Sequence, residues 1–174
     1  MHTEPELIAG TTPRLGRYDI DPSRSAVTFR TRHLFGLAPV RGTFAIRGGT
    51  VDIAEPITES VIVAEIETAS FRTGNSQRDS SVLSPRFLNP AKHPVMVFRS
   101  ERIDAGTGVL IGTLTVGGIT RPVSLSIVHY APSSGSFTVR AATRIDRTEY
   151  GITAMRGLAG RHLEMSVEVQ CVRI

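Results

Sequence analysis

Tryptophan is absent, cysteine occurs once, and no apolar run is long enough to cross a bilayer. Each absence excludes something. A lone Cys171 cannot form an intrachain disulfide, and it suits a reducing compartment. The 3 Tyr and 7 Phe are not interleaved with basic residues, so the stacking platforms of a single-strand nucleic-acid surface are missing. The net charge is +4, yet no block of like charges occurs, and the arginines read as a solvated surface with no nucleic-acid partner. The opening "MHTEPELIAGTTPRLGRYD" has no basic stretch leading into an apolar one, so a cytoplasmic location without stable membrane insertion is expected. Catalytic signatures are lacking too: there is no G-x-S-x-G elbow, P-loop, HExxH or C-x-x-C. "GTGVLIG" has the wrong glycine spacing for a phosphate loop and reads as a hairpin opening a strand. His33, His93, His129 and His162 would meet only if the fold brought them together. No metal, cofactor or enzymatic activity is therefore expected.

Strand alternation is abundant. In "SAVTFRTRH", Val27, Phe29, Thr31 and His33 share a face opposite Thr28, Arg30 and Arg32. "PVRGTFAIRG" groups Val40, Gly42, Phe44 and Ile46, and "SVIVAEIET" groups Ile62, Ala64 and Ile66. "PVMVFRSERI" puts Met96 and Phe98 together, and "GVLIGTLTV" aligns Leu110, Gly112, Leu114 and Val116. "RPVSLSIVHY" aligns Val123, Leu125 and Ile127. "SFTVRAATRID" presents Phe137, Val139, Ala141, Thr143 and Ile145, and "HLEMSVEVQCV" presents Leu163, Met165, Val167, Val169 and Cys171. These are eight candidate strands, with hairpin signals at "RGGT", "DAGTG", "VGGITRP" and "APSSGS". Helical periodicity is nearly absent, so the class is all-β and antiparallel, either a sandwich or a closed barrel. The 174 residues suit one domain, residues 17–174, after a loose arm at 1–16.

One stretch breaks the alternation: "FRTGNSQRDSSVLSPRFLNPAKHPVMVF", Phe71 to Phe98. It joins the third and fourth candidate strands and is far longer than a hairpin needs. "GNSQRDSSVL" carries a helix start. Asn75 or Ser76 can cap, Asp79 can close a capping box from Ser76, and Pro85 ends the helix. One short helix over an end of the sheet is predicted. Later in the chain "RGLAGRH", Arg156 to His162, reads as a hairpin connection.

Four segments in series, "YDIDPSRSAVTFRTRHLFGLAPVRGTF", "IETASFRTGNSQRDSSVLSPRFLNPAKHPVMVFRS", "GTLTVGGITRPVSL" and "RIDRTEYGI", resemble the YceI-like family. These are polyisoprenoid-binding, lipocalin-like β-barrel proteins. The resemblance implies an eight-stranded antiparallel up-and-down barrel with a helix in the long third connection. It also implies an elongated apolar tunnel for a polyprenyl or fatty acyl chain, a carrier or sequestering role, and a homodimer.

Tunnel-lining candidates come from the inward faces: Phe29, His33, Phe44, Ile62, Ala64, Ile66 and Met96, then Phe98, Leu114, Leu125, Val139, Ala141, Thr143 and Met165. Small inward residues, Gly42, Ala64, Gly112, Ala141 and Thr143, leave room for a ligand or interdigitate with larger neighbours. A polar head group needs donors near the mouth, and the candidates are His33, Arg72, Arg78 and Arg147. His33 can instead be a core histidine bonded to a backbone carbonyl. Asp79 and Asp146 can pair with arginines to tie the helix and strand ends. Tyr150 is expected at a rim and Cys171 as a small buried hydrophobe. Two rival readings are an enzyme acting on a barrel-bound lipid and a solidly packed interaction or stress module.

Overall fold

Alternating side chains give each strand one apolar and one polar face, and closing the sheet buries every apolar face at once while removing the sheet's edges. The computed structural model describes residues 13–33, 36–155 and 159–174. The strands are β1 (Gly16–Ile20), β2 (Ala26–His33), β3 (Ala38–Ile53), β4 (Val61–Glu67), β5 (Val95–Asp104), β6 (Val109–Val116), β7 (Ile119–Ser133), β8 (Ser136–Asp146) and β9 (His162–Arg173). One helix, α1 (Ser76–Val82), lies between β4 and β5. All pairings between strands are antiparallel, and the order β1-β3-β2-β9-β8-β7-β6-β5-β4 closes through a β3–β4 pairing.

Nine strands occupy eight stations. β1 pairs with the second half of β3 (Asp19 opposite Thr50) and β2 with the first half (Ala26 opposite Ala45). On the other side β1 meets the end of β9 (Ile20 opposite Cys171) and β2 its middle (Ala26 opposite Glu168). β1 and β2 are thus one barrel strand with a detour at Pro22–Arg24, where the Asp21 side chain accepts from the Ser23 amide at 3.0 Å. The eight-stranded up-and-down barrel and the helix in its long connection are as expected. The extra strand was unexpected, because the five residues of β1 merge into the alternation that follows.

Of the arm at residues 1–16, residues 1–12 lie outside the described residues, and Gly16 already belongs to β1. Residues 156–158 of the "RGLAGRH" connection also lie outside them. No helix among the described residues is long and apolar enough to cross a membrane.

Three β-bulges shift the strand phase. β3 buries Phe44 and Ile46, passes a register shift between Ile46 and Gly48, and then buries Val51 and Ile53. β5 slips between Ser100 and Arg102, and β7 between Ile127 and His129. Each extra residue reverses which side chains face inward, so one long strand serves the core along its whole length.

The two ends of the barrel differ. At the end where β1 starts, Tyr18, Ile20, Val51, Ile53, Leu110, Phe137 and Cys171 are all buried in one cluster. Tyr18 and Phe137 meet edge to face with centroids 4.8 Å apart, and Tyr130 lies 5.9 Å from Phe137. This end is filled by side chains. The other end is covered by the long connections.

Candidate functional site

The open end is built from local signals. Asn75 caps α1, its side-chain oxygen accepting from the Arg78 amide at 2.9 Å. Asp79 does not close a capping box. Its carboxylate accepts from the Thr73 amide at 3.1 Å and the Thr73 hydroxyl at 2.6 Å, because Asn75 already occupies the cap. The helix is thereby tied to the chain that enters it, and Val82, Leu83 and Leu88 rest on the barrel core. The Arg72 main chain pairs with Thr43 in both directions, which pins the start of the connection, after it has left β4, against β3.

A second connection, Arg147 to Arg161, closes the other side. Asp146 accepts from the Thr148 amide at 2.9 Å and hydroxyl at 2.6 Å, and from Arg161 Nε at 3.0 Å. Burial is the largest influence on this carboxyl and opposes its ionisation. The bonds from Thr148 and Arg161 together outweigh it and hold the group below the usual carboxylate range. Arg147 is only 8% exposed. Its Nε donates to the Gly160 carbonyl at 2.7 Å, one terminal nitrogen to Ile152 at 2.8 Å and the other to Ala159 at 3.3 Å. The guanidinium also lies 5.6 Å over the Phe87 ring, joining the two connections.

Beneath these connections the barrel holds a cavity of about 550 Å³. Its wall includes Phe29, His33, Phe44, Ala64, Ile66, Met96, Phe98, Leu114, Leu125, Thr143 and Met165, with Arg78 and Arg147 at the lip. Phe29 and Phe71 stack at 5.4 Å and 17°, and Phe44 meets both rings, giving one aromatic wall. Asn75, Gln77, Arg78 and Ser81 make the α1 side of the lip polar. The ionisable lining groups are His33, Arg78, Arg147 and Tyr150, with no carboxylate among the described lining residues. The buried Tyr150 phenol is pushed up first by burial, then by Glu149, with Arg121 partly offsetting.

Other candidates lie elsewhere. Ile62, Val139 and Ala141 are outside the cavity wall, at the filled end: Ala141 stands opposite Ile127, Val139 opposite Tyr130, and Ile62 opposite Val51. Arg72 is exposed and faces an outer groove that it shares with Arg30, Arg41 and Thr28. Arg147 reaches the lip, but its donors are directed at main-chain carbonyls. His33 is half-buried at the rim, and its ring makes no hydrogen bond among the described residues, so the backbone-bonded core histidine is not what forms.

The small inward residues also divide. At Gly42 a methyl group would strike the Phe29 ring and the Arg72 carbonyl, and at Gly112 it would strike the backbone of β5. Phe29 is the register partner of Gly42, so its ring covers the bare glycine backbone. These two glycines let neighbours approach closely and leave no space for a ligand. Of the five small positions only Ala64 and Thr143 border the cavity.

Sequence reasoning missed Phe71, Val82, Phe87, Leu88, Ile152 and Met155, all of which line the cavity from the two connections. The one available signal was the apolar pairs Val82-Leu83 and Phe87-Leu88 flanking Pro85 in an otherwise polar stretch.

The family model of the YceI-like domain matches residues 18–171. The chain belongs to the YceI-like family. A UPF0312 protein of Serratia proteamaculans is 32% identical over 178 residues, covering 96% of this chain and 92% of that protein. Among solved structures, this YceI-like barrel resembles Burkholderia cenocepacia BcnA, with a TM-score of 0.71, 18% identity, and 87% of this chain and 98% of that one covered. It also resembles a polyisoprenoid binding domain from Saccharophagus degradans, with a TM-score of 0.67, 15% identity, and 90% and 98% covered. At these identities the two structures share its fold.

Proposed function

We propose that this protein binds a long-chain apolar lipid, of polyisoprenoid or fatty acyl type, in its barrel cavity and carries or sequesters it. The observation that carries this reading is the apolar, roofed cavity of about 550 Å³, a volume typical of ligand sites and left empty by the chain's own side chains. That void argues against the solidly packed module. Burial of the tail drives binding, at about 0.8 kcal/mol per methylene. The aromatic wall of Phe29, Phe44 and Phe71 and the aliphatic wall of Ile66, Met96, Leu114 and Leu125 contact the tail. Arg78 and His33, beside Gln77 and Ser81, receive the polar head at the lip. The family likeness and the printed description of the Saccharophagus domain as polyisoprenoid binding support the same ligand class.

The role is binding without turnover. Among the described residues the lining has no paired carboxylate and base of the kind that proton-transfer chemistry uses. The proposal extends to a homodimer, on the family resemblance, and to the cytoplasm, on the lone buried thiol of Cys171. Light scattering on a sizing column and cell fractionation test these two points.

Native mass spectrometry of the purified protein, followed by incubation with stearic acid or geranylgeraniol, tests the main reading. A retained or acquired lipid mass at one per barrel is expected. A bare protein that takes up neither lipid overturns it. Loss of the supplied lipid mass to a product, abolished by His33→Ala, moves the reading to an enzyme.

A further inference from the structure

The outer face of the barrel carries a groove that neither the cavity nor its roof uses. Its floor is a row of short side chains in register across neighbouring strands. Thr43 on β3 lies opposite Thr28 on β2, Thr28 opposite Ser166 on β9, and Ser166 opposite Ala142 on β8. Two residues along each strand runs a charged row, in which Arg41 of β3 lies opposite Arg30 of β2 and Arg30 opposite Glu164 of β9. Arg72, whose main chain pairs with Thr43, stands at the β3 end of the floor. Arg30, Arg41 and Arg72 are all exposed.

These three arginines have no anion of their own. Among the described residues the ion pairs belong to Arg17, Arg140, Arg144, Arg161 and His162, and the side chains of Arg30, Arg41 and Arg72 make neither an ion pair nor a hydrogen bond. The one carboxylate in the groove, Glu164, is held by Arg144 Nε at 3.4 Å. Like charges directly opposite on one sheet face repel. Arg30 and Arg41 therefore oppose the pairing of β2 with β3, and an anion between them removes that opposition. Arg72 lies one station over and two residues along from Arg41, a Cα separation of roughly 8 Å from sheet spacings. Three guanidinium groups on long stems can meet over one polyatomic anion at that distance.

We propose that this groove is a binding site, separate from the barrel cavity, for a phosphate-bearing ligand. The planar fork of arginine matches phosphate oxygens two at a time, and several forks suit the tetrahedral array of a phosphate better than a flat carboxylate. The hydroxyls of Thr43 and Ser166 have no hydrogen-bond partner among the described residues and add donors to the floor. The one aromatic ring in the wall, Phe29, is 3% exposed and turned into the barrel, so the groove has no platform for stacking a base. What it recognises is the phosphate itself. Arg30 follows Phe29 and Arg72 follows Phe71, so the groove and the aromatic wall of the cavity are opposite faces of one stretch of the barrel. The site does not depend on what fills the barrel.

Titration calorimetry of the full-length protein with sodium pyrophosphate, at near-physiological salt, tests this. Saturable binding at a single site is expected. Arg41→Gln and Arg72→Gln should each weaken it about tenfold, the weight of one charge-assisted hydrogen bond. Arg102→Gln removes the same charge from an exposed position on β5 outside the groove, and should change it by less than about twofold. Circular dichroism confirms that each variant folds. Absence of binding overturns the site, and so does equal weakening by all three substitutions, which is the mark of diffuse attraction to a basic protein. Sedimentation with phosphatidylcholine vesicles containing phosphatidic acid separates the two sources of the phosphate. A protein that binds pyrophosphate and stays in the supernatant takes a soluble phosphate ligand. A protein that pellets, is released by pyrophosphate and no longer pellets as Arg41→Gln takes the phosphate of a lipid headgroup.

Discussion

Arg147 is a buried cation whose guanidinium bonds three carbonyls in different directions, Gly160, Ile152 and Ala159. A planar fork can do this, whereas an ammonium is a point charge with a different reach. Arg147→Lys is therefore expected to lower stability by about 2–4 kcal/mol, read from urea unfolding, and to loosen the Arg147–Arg161 connection first. A change within experimental error would mean that the clasp does not hold the roof. Cys171 is the second residue with a clear expectation. It is 1% exposed, and burial pushes its thiol up to about 12. The thiolate is the reactive form. Iodoacetamide should leave Cys171 unmodified in the folded protein at neutral pH and label it fully in urea, as followed by intact mass. Rapid native labelling would show that the filled end opens.

At the scale of elements, α1 has seven residues, too few to be stable alone, and it depends on its cap, on the Asp79–Thr73 bonds and on its seat on the core. Losing the cap by Asn75→Ala costs the helix about 1 kcal/mol. Amide exchange in α1 should then accelerate several-fold while the β8 and β9 amides stay protected, as measured by hydrogen exchange. Equal acceleration in strands and helix would show that the roof and barrel unfold as one unit. The strands were readable residue by residue, because period two assigns Phe29, Phe44 or Met165 to the inside without knowledge of any partner. The apolar lip residues of the connections, Phe71, Phe87, Ile152 and Met155, follow no period, and only a three-dimensional path brings them over the cavity. The bulges near Arg47, Glu101 and Val128 were also illegible, since an extra residue looks like any other in an alternating run.

For the whole molecule, acid titration and ligand loading give two further tests. Asp21, Asp52 and Asp146 are all held below the ordinary carboxylate value: Asp21 by the Ser23 side-chain and backbone bonds, Asp52 by the bond from Arg17, and Asp146 against its burial by Thr148 and Arg161. A carboxyl depressed in the folded state stabilises above its unfolded value and ceases to do so as pH falls through the lower folded value. The urea midpoint should thus be level near neutrality and fall below a pH of about 4. Asp146→Asn should flatten that decline most, because its carboxyl is 13% exposed against 44% for Asp52 and is therefore less screened by solvent. A midpoint that drops already between pH 7 and 6 would point to a histidine instead. A lipid bound only by the folded barrel should raise the thermal midpoint by on the order of 5–10 °C at about a hundredfold excess over its dissociation constant. No shift, despite a retained lipid mass, would place that lipid outside the cavity.

Alternation and turn chemistry were sufficient for eight of the nine described strands, for facing as far as each bulge, and for the antiparallel class, because a residue's side of an unbroken strand follows from its parity alone. They also placed α1, since Asn75 and Pro85 act on their immediate neighbours. The location of the void was outside their reach. Ala64 and Ala141 are equally small and equally inward, yet one borders the cavity and the other lies in packed core. The difference is made by Tyr18, Tyr130 and Phe137, distant in the chain, whose rings meet at one end of the barrel and leave the other unfilled. Free volume belongs to no residue, because it is set by which side chains arrive together once the barrel has closed.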